Sequence, residues 1–305
     1  MELCTGFGNT GYYLNCDSNF KVMRGMFIVP TYDSTGEKNS IPAGTLIDGT
    51  YLTARLNDTD ATKRWYPLMG IEAANSERGD AVVFTNPSGA IEFVKNGVKN
   101  VSFELRRRGS EFKGQIEACP CSELSFFALD LDGKLRGLIT GIDAVSDFFP
   151  VPIQPSSFYS KLVDAVEENP EHLLVNFQYE LTVKDSLLRT YPTNLVTTDL
   201  SSAKGLYDVY MDVSNVTSTG FTASLRTIYT DGSKYRPTGL VAGDFALYNV
   251  TDAASISITT VTESSPGVYD FVHASTTTSK VKRLTPTKPS FDFTPVVNNT
   301  FTTGA

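Results

Sequence analysis

The run LSFFALDLDGKLRGLITGID, residues 124–143, constrains the fold most. Two apolar stretches flank Asp132-Gly133, and Asx-Gly between such stretches is the strongest short-range signal for a β-hairpin. The same arrangement recurs at Asn96-Gly97 and Asp231-Gly232. Around these turns lie short alternating or β-branched runs: KVMRGMFIVP, GTYLTARL, GDAVVFTN, AIEFVKNG, VSFELRRRG, EFKGQIEA, LLVNFQYELTV, YDVYMDVSNV, FTASLRTIYTDG, ISITTVTE and GVYDFVHA. Each reads as a strand. A single segment, SSFYSKLVDAVEEN, reads as a helix. Ser156 or Ser157 can cap it, Phe158, Leu162, Ala165 and Val166 recur at helical spacing, and Pro170 forbids continuation. The fold expected is mainly β: a sandwich or barrel with one packing α-helix, followed by a second β-sandwich.

At 305 residues the chain is long enough for two domains. Charge divides it. Residues 1–200 hold 18 basic and 26 acidic side chains, whereas residues 201–305 hold 8 of each, so the first part carries the whole net charge of −8. Such acidity argues against a nucleic-acid binder, which needs cations to displace phosphate counterions. No stretch approaches the roughly 18 apolar residues of a membrane span, and the N-terminus lacks the basic and apolar regions of a secretory signal. LVTTDLSSAKG is short and polar, as a linker would be. Beyond it the segment from Leu206 to about Arg283 resembles bacterial Ig-like modules through NVTSTGFTASLRTIYTDG, GDFALYN and SSPGVYDF. The division predicted is 1–200, a β domain with an extended N-terminal arm; 201–285, an Ig-like sandwich; and 286–305, an extended tail.

Motifs for chemistry are scarce. Gly6, Gly8 and Gly11 have the spacing G-x-G-x-x-G, but no strand precedes them and no helical period follows, so a nucleotide site lacks its context. Cys4, Cys16, Cys119 and Cys121 match no common zinc spacing. Free buried thiols, a bridge through Cys4 or Cys16 and a metal site all stay open. Asp130-Leu131-Asp132-Gly133-Lys134 resembles the front of a calcium loop, but Lys134 stands where an oxygen ligand belongs, which favours a hairpin turn. His172 and His273 stand alone, as satisfied surface or loop histidines would. Without G-x-S-x-G, H-E-x-x-H or a P-loop, the expectation is no enzyme, no cofactor and no metal. Arg106, Arg107 and Arg108 form the most basic spot. They read either as a solvated strand face paired with Glu104 and Glu111 or as an intersubunit salt-bridge strip.

The first two hundred residues resemble the tail-tube proteins of long-tailed bacteriophages. The resemblance rests on the strand-rich pattern, SSFYSKLVDAVEEN, the hairpin ALDLDGKLRGLITG before it, and HLLVNFQYELTVKDSLLRTYP after it. GNTGYYLNC followed by KVMRGMFIVP also resembles the start of structural proteins from phages of Bacteroidetes hosts. The resemblance implies a virion protein, assembled in the bacterial cytoplasm, whose copies stack as rings into an acidic channel for DNA. Its partners would be copies of itself and other virion proteins, and DNA would meet it only in passing through the lumen. Arg106, Arg107 and Arg108 would then sit at a subunit boundary. Tyr12, Tyr13 and Leu14 would anchor the glycine-rich arm on a neighbour. Two alternatives remain: a head decoration or fibre protein, and an adhesive sandwich using Trp65 and Tyr66 as a sugar platform or touching host glycans through the Ig-like domain.

Overall fold

A computed structural model describes residues 20–106, 110–117, 123–139, 146–227, 236–275, 280–286, 291–292 and 300–302. The chain is mainly β and divides into two compact units, Met1–Gly205 and Leu206–Ala305.

In the first unit the described strands are β1 (Met23–Pro30), β2 (Tyr66–Met69), β3 (Ile71–Arg78), β4 (Val82–Thr85), β5 (Ile91–Lys95), β6 (Lys99–Arg106), β7 (Leu124–Asp130), β8 (Leu135–Ile139), β9 (Phe148–Phe149), β10 (Val151–Pro152), β11 (Tyr159–Val163), β12 (His172–Gln178) and β13 (Leu188–Thr190). The α-helices among the described residues are α1 (Gly49–Leu56) and α2 (Ser110–Glu117). One sheet runs β13-β8-β7-β1-β2, with β10 on β7 and β9 on β8; a second runs β11-β12-β6-β3; β4 and β5 pair only with each other. The centre of the first sheet is buried on both faces, which explains its near-continuous apolar runs. Met26 of β1 and Phe126 and Ala128 of β7 face the second sheet, meeting Phe103, Val175 and Phe177. Phe27, Val29, Phe127 and Leu129 face the other way, onto Leu52 and Leu56 of α1, Ile41, Ile47 and Trp65. The result is three layers around two cores.

Several expectations are corrected. SSFYSKLVDAVEEN is not a helix: Tyr159–Val163 is strand β11, antiparallel to β12 with Tyr159 opposite Asn176. Conversely, GTYLTARL, expected as a strand, is α1, and most of EFKGQIEA, also expected as a strand, lies in α2. Asp48 caps α1, its carboxylate accepting from the Tyr51 N–H at 2.7 Å. Asn96-Gly97 makes no hairpin, since β5 pairs with β4 and β6 with β3. The β4–β5 turn lies instead at Asn86–Ala90, where Gly89 takes φ +83°. Asp132-Gly133 does turn β7 into β8, with Asp130 Oδ1 accepting from the N–H groups of Asp132 and Lys134. Asp231-Gly232 lies outside the described residues.

The second unit contains β14 (Tyr207–Ser214), β15 (Gly220–Thr227), β16 (Phe245–Asn249), β17 (Ala254–Ile256), β18 (Ile258–Ser265), β19 (Val268–His273), β20 (Val281–Pro286), β21 (Phe291–Asp292) and β22 (Thr300–Thr302). Two sheets, β18-β19-β15-β14-β21 and β17-β16-β20-β22, close on one core of Val209, Met211, Phe221, Leu225, Phe245, Leu247, Phe271 and Leu284. Gly267, at φ +75°, turns the chain into β19. Tyr269 then enters the core and donates its hydroxyl to the Pro237 carbonyl at 2.7 Å. The segment expected as an extended tail supplies two edge strands: β21 runs parallel to β14 and β22 antiparallel to β20.

Candidate functional site

The feature least like a self-sufficient fold is the β4–β5 hairpin. It interrupts the second sheet between β3 and β6, and neither of its strands pairs elsewhere among the described residues. Val82, Val83, Phe84, Ile91, Phe93 and Val94 are all exposed, Phe84 by 54%, Phe93 by 63% and Ile91 by 68%. Register places Val83 opposite Phe93 and Phe84 opposite Glu92, so apolar groups stand on both faces of the ribbon. A lone two-stranded hairpin is marginal in water, and a cluster of exposed apolar side chains marks an interaction surface.

The base of the hairpin is held firmly. Arg78, the last residue of β3, makes a two-pronged ion pair to Asp185, from Nε at 2.7 Å and Nη2 at 2.9 Å, and donates Nη1 to the Gly97 carbonyl at 2.7 Å. Gly79 N–H donates to the Val98 carbonyl at 2.9 Å. The chains cross so closely that a Cβ on Gly97 would collide with the carbonyls of Gly79 and Asp80. The Arg78 hydrogen bonds hold the Asp185 carboxyl below its ordinary range, with Lys99 adding to the effect. Burial lowers the Lys99 ammonium, partly opposed by the charge of Asp185. The hairpin therefore projects from a rigid root.

Arg106 ends β6 and pairs with Glu72 at 3.1 Å and Glu104 at 3.5 Å, all three partly exposed. Arg107, Arg108, Tyr12, Tyr13 and Leu14 lie outside the described residues, as do Cys4, Cys16, Cys119 and Cys121 and the glycines of the G-x-G-x-x-G pattern. Trp65 is no sugar platform. It is buried against Phe27 and Phe127, with ring centroids 5.3 and 5.2 Å away. His172 lies on β12 with Nδ1 3.1 Å from the Pro170 carbonyl. His273 is not a surface or loop residue; it is buried in the second unit, with Nε2 2.9 Å from Lys282 Nζ. His172 belongs to the first unit and His273 to the second.

The hairpin's strands were foreseen as strands, but not as a surface. The available signal was VVFTNPSGAIEFV, apolar at adjacent positions yet centred on a Pro-Ser-Gly turn, which leaves too few residues to fold back on a core. No family model matches the chain, and neither a curated protein nor a solved structure matches it.

Proposed function

We propose that this chain is a structural subunit of a bacteriophage virion, polymerising with copies of itself into rings stacked as a tail tube, and that it has no enzymatic role. The observation that carries this reading is the apolar hairpin, exposed on both faces and, among the described residues, unpaired at both edges. A hairpin open on both edges can add to the sheet of a neighbour, and a head-to-tail contact of this kind closes into a ring when the rotation allows. Magnitudes favour many contacts over one. Each half-exposed Val, Ile or Phe offers about 1 kcal/mol on further burial. Six of them give about 6 kcal/mol, against association costs of about 4–15 kcal/mol. An isolated pair would be weak, whereas a closed ring holds each copy twice. The acid excess of residues 1–200 suits a channel that repels DNA phosphates, so DNA slides through instead of binding. Other virion proteins would meet the ends of such a tube.

Negative-stain microscopy and sedimentation of the full chain, beside Phe84→Ser/Phe93→Ser, test the reading. Rings or tubes are expected from the native chain. The variant should stay monomeric with an unchanged melting temperature, because both rings are exposed. A native chain that remains a monodisperse monomer at all concentrations would sink the proposal.

A further inference from the structure

The outward face of the β11-β12-β6-β3 sheet carries a second feature, unrelated to the hairpin. Along β6 and β12 the residues Val101, Phe103, Leu105, Leu173, Val175 and Phe177 point into the core, so the alternate positions face out. Register aligns Tyr159, Asn176, Ser102 and Asn75 in one row across all four strands; in the next row Gln178 stands opposite Asn100, and Asn100 opposite Glu77 of β3. Tyr159, Asn176, Ser102, Gln178 and Asn100 line a cleft of about 500 Å³, to which no charged side chain contributes; Glu77, like Asn75, lies beyond its lining. One wall is the loop 154–157. Gln154 N–H donates to the Gln178 carbonyl at 2.8 Å, and Ser157 Oγ donates to the Gln154 carbonyl at 2.6 Å and accepts from Gln178 N–H at 3.0 Å. Ser156 in that wall takes φ +63°, a conformation costly for a residue with a Cβ and concentrated at ligand clamps.

The side-chain amides of Asn75, Asn100, Asn176 and Gln178 and the hydroxyls of Ser102 and Tyr159 make no hydrogen bond within the protein among the described residues. Six neutral groups, each able to donate and accept, thus stand in register beside a tyrosine ring that is 58% exposed. We propose that this cleft binds a neutral oligosaccharide. A sugar hydroxyl also both donates and accepts, so it matches a carboxamide without requiring charge. The C–H face of a pyranose can cover the Tyr159 ring. A nucleic acid would need cations the cleft lacks, and an apolar partner would leave the amides desolvated and unpaired.

The test is independent of assembly. The full chain is applied to an array of immobilised neutral oligomers of glucose, xylose and N-acetylglucosamine, and the best binder is titrated by calorimetry against the native chain, Tyr159→Ala and Asn176→Ala. Neutral-oligosaccharide binding is expected, roughly tenfold weaker in each variant, with melting unchanged because neither side chain supports the core. Tyr210→Ala, an exposed tyrosine of the second unit, should bind as the native chain does, and so should the Phe84→Ser/Phe93→Ser variant. Absence of binding to every neutral oligomer, or binding that survives both cleft substitutions, overturns the proposal.

Discussion

Lys282 is the residue whose placement departs furthest from ordinary rules. It is fully buried in the second unit, with Nζ on His273 Nε2, while His273 Nδ1 faces the Ala274 carbonyl at 2.7 Å. That network fixes the imidazole as neutral, with Nδ1 as donor and Nε2 as acceptor. Burial pushes the ammonium down to about 8 and lowers the imidazole as well. The nearby charges, Asp252 and Lys280, pair with each other, and Asp252 also takes the amide of Asn249, the residue opposite Lys282 on β16. Both buried bases bind protons less readily folded than unfolded, so acid favours unfolding. The second unit should gain stability as pH rises from about 8 to 10.5, and lose it as pH falls below 6.5. Replacing the buried cation by an apolar side chain of similar length removes the cost of desolvating a charge, which exceeds that of the single His273 Nε2 acceptor left behind. Lys282→Met should therefore raise the melting temperature at neutral pH and flatten the alkaline slope; calorimetric melts across that range check both. The sequence did hint at this burial. His273 continues the alternation Tyr269, Phe271, and Lys282 stands two residues before Leu284, but a polar side chain at an inward position is read as an exception until the facing partner is known.

At the scale of elements, β periodicity was legible and the helices were not. Phe158 and Leu162 are four residues apart, a spacing that lies on one face of a helix and equally on one face of a strand. Ser160, also inward and buried, decides for the strand, and a buried serine is not an apolar signal. In α1 the threonines and Tyr51 suggest a strand, yet Asp48 as cap and Leu52 and Leu56 against the core override that propensity. At Asn96-Gly97 the turn signal was real as a need for glycine, but the need comes from crowding at the hairpin root. The amide row was invisible in sequence because it exists only once four strands are in register. The root itself makes a prediction. Arg78→Ala removes the two-pronged pair to Asp185 and the bond to the Gly97 carbonyl. Hydrogen bonds to charged groups contribute about 1.5–3 kcal/mol, and these are partly solvated, so global stability should fall by about 1–2 kcal/mol. Hydrogen exchange should rise selectively at β4 and β5, and assembly should weaken without loss of the hairpin's apolar side chains. Unchanged exchange at β4 and β5 would mean that the hairpin is positioned by something else.

At the scale of the whole molecule the charge split and the change of texture near residue 200 suggest two units; the chain divides into compact units at Gly205, and no described core cluster spans that point. The texture misled on one point. LVTTDLSSAKG is polar enough to pass for a free linker, yet it is fastened to the first unit. Thr197 N–H donates to the Ile47 carbonyl at 3.0 Å, Asp199 accepts from Ser201 N–H at 2.9 Å, and Leu200 is buried beside Ile47 and Trp65 in the core under α1. Short polar segments with one inward leucine carry no periodicity, so sequence gives them no core assignment. A deletion series separates the two descriptions. Full burial of a leucine contributes about 1.5–3 kcal/mol, and the void left by its loss adds to the penalty. A chain ending at residue 205 should therefore melt like the first unit of the intact protein and still build rings, because the hairpin, its root and both cores are retained. A chain ending at residue 196 loses Leu200 and the strap across Ile47, and should be less stable by about 2–5 kcal/mol. Equal melting of the two truncations would return the segment to a linker. Loss of assembly at 205 with folding intact would place the essential contact in the second unit and not in the hairpin.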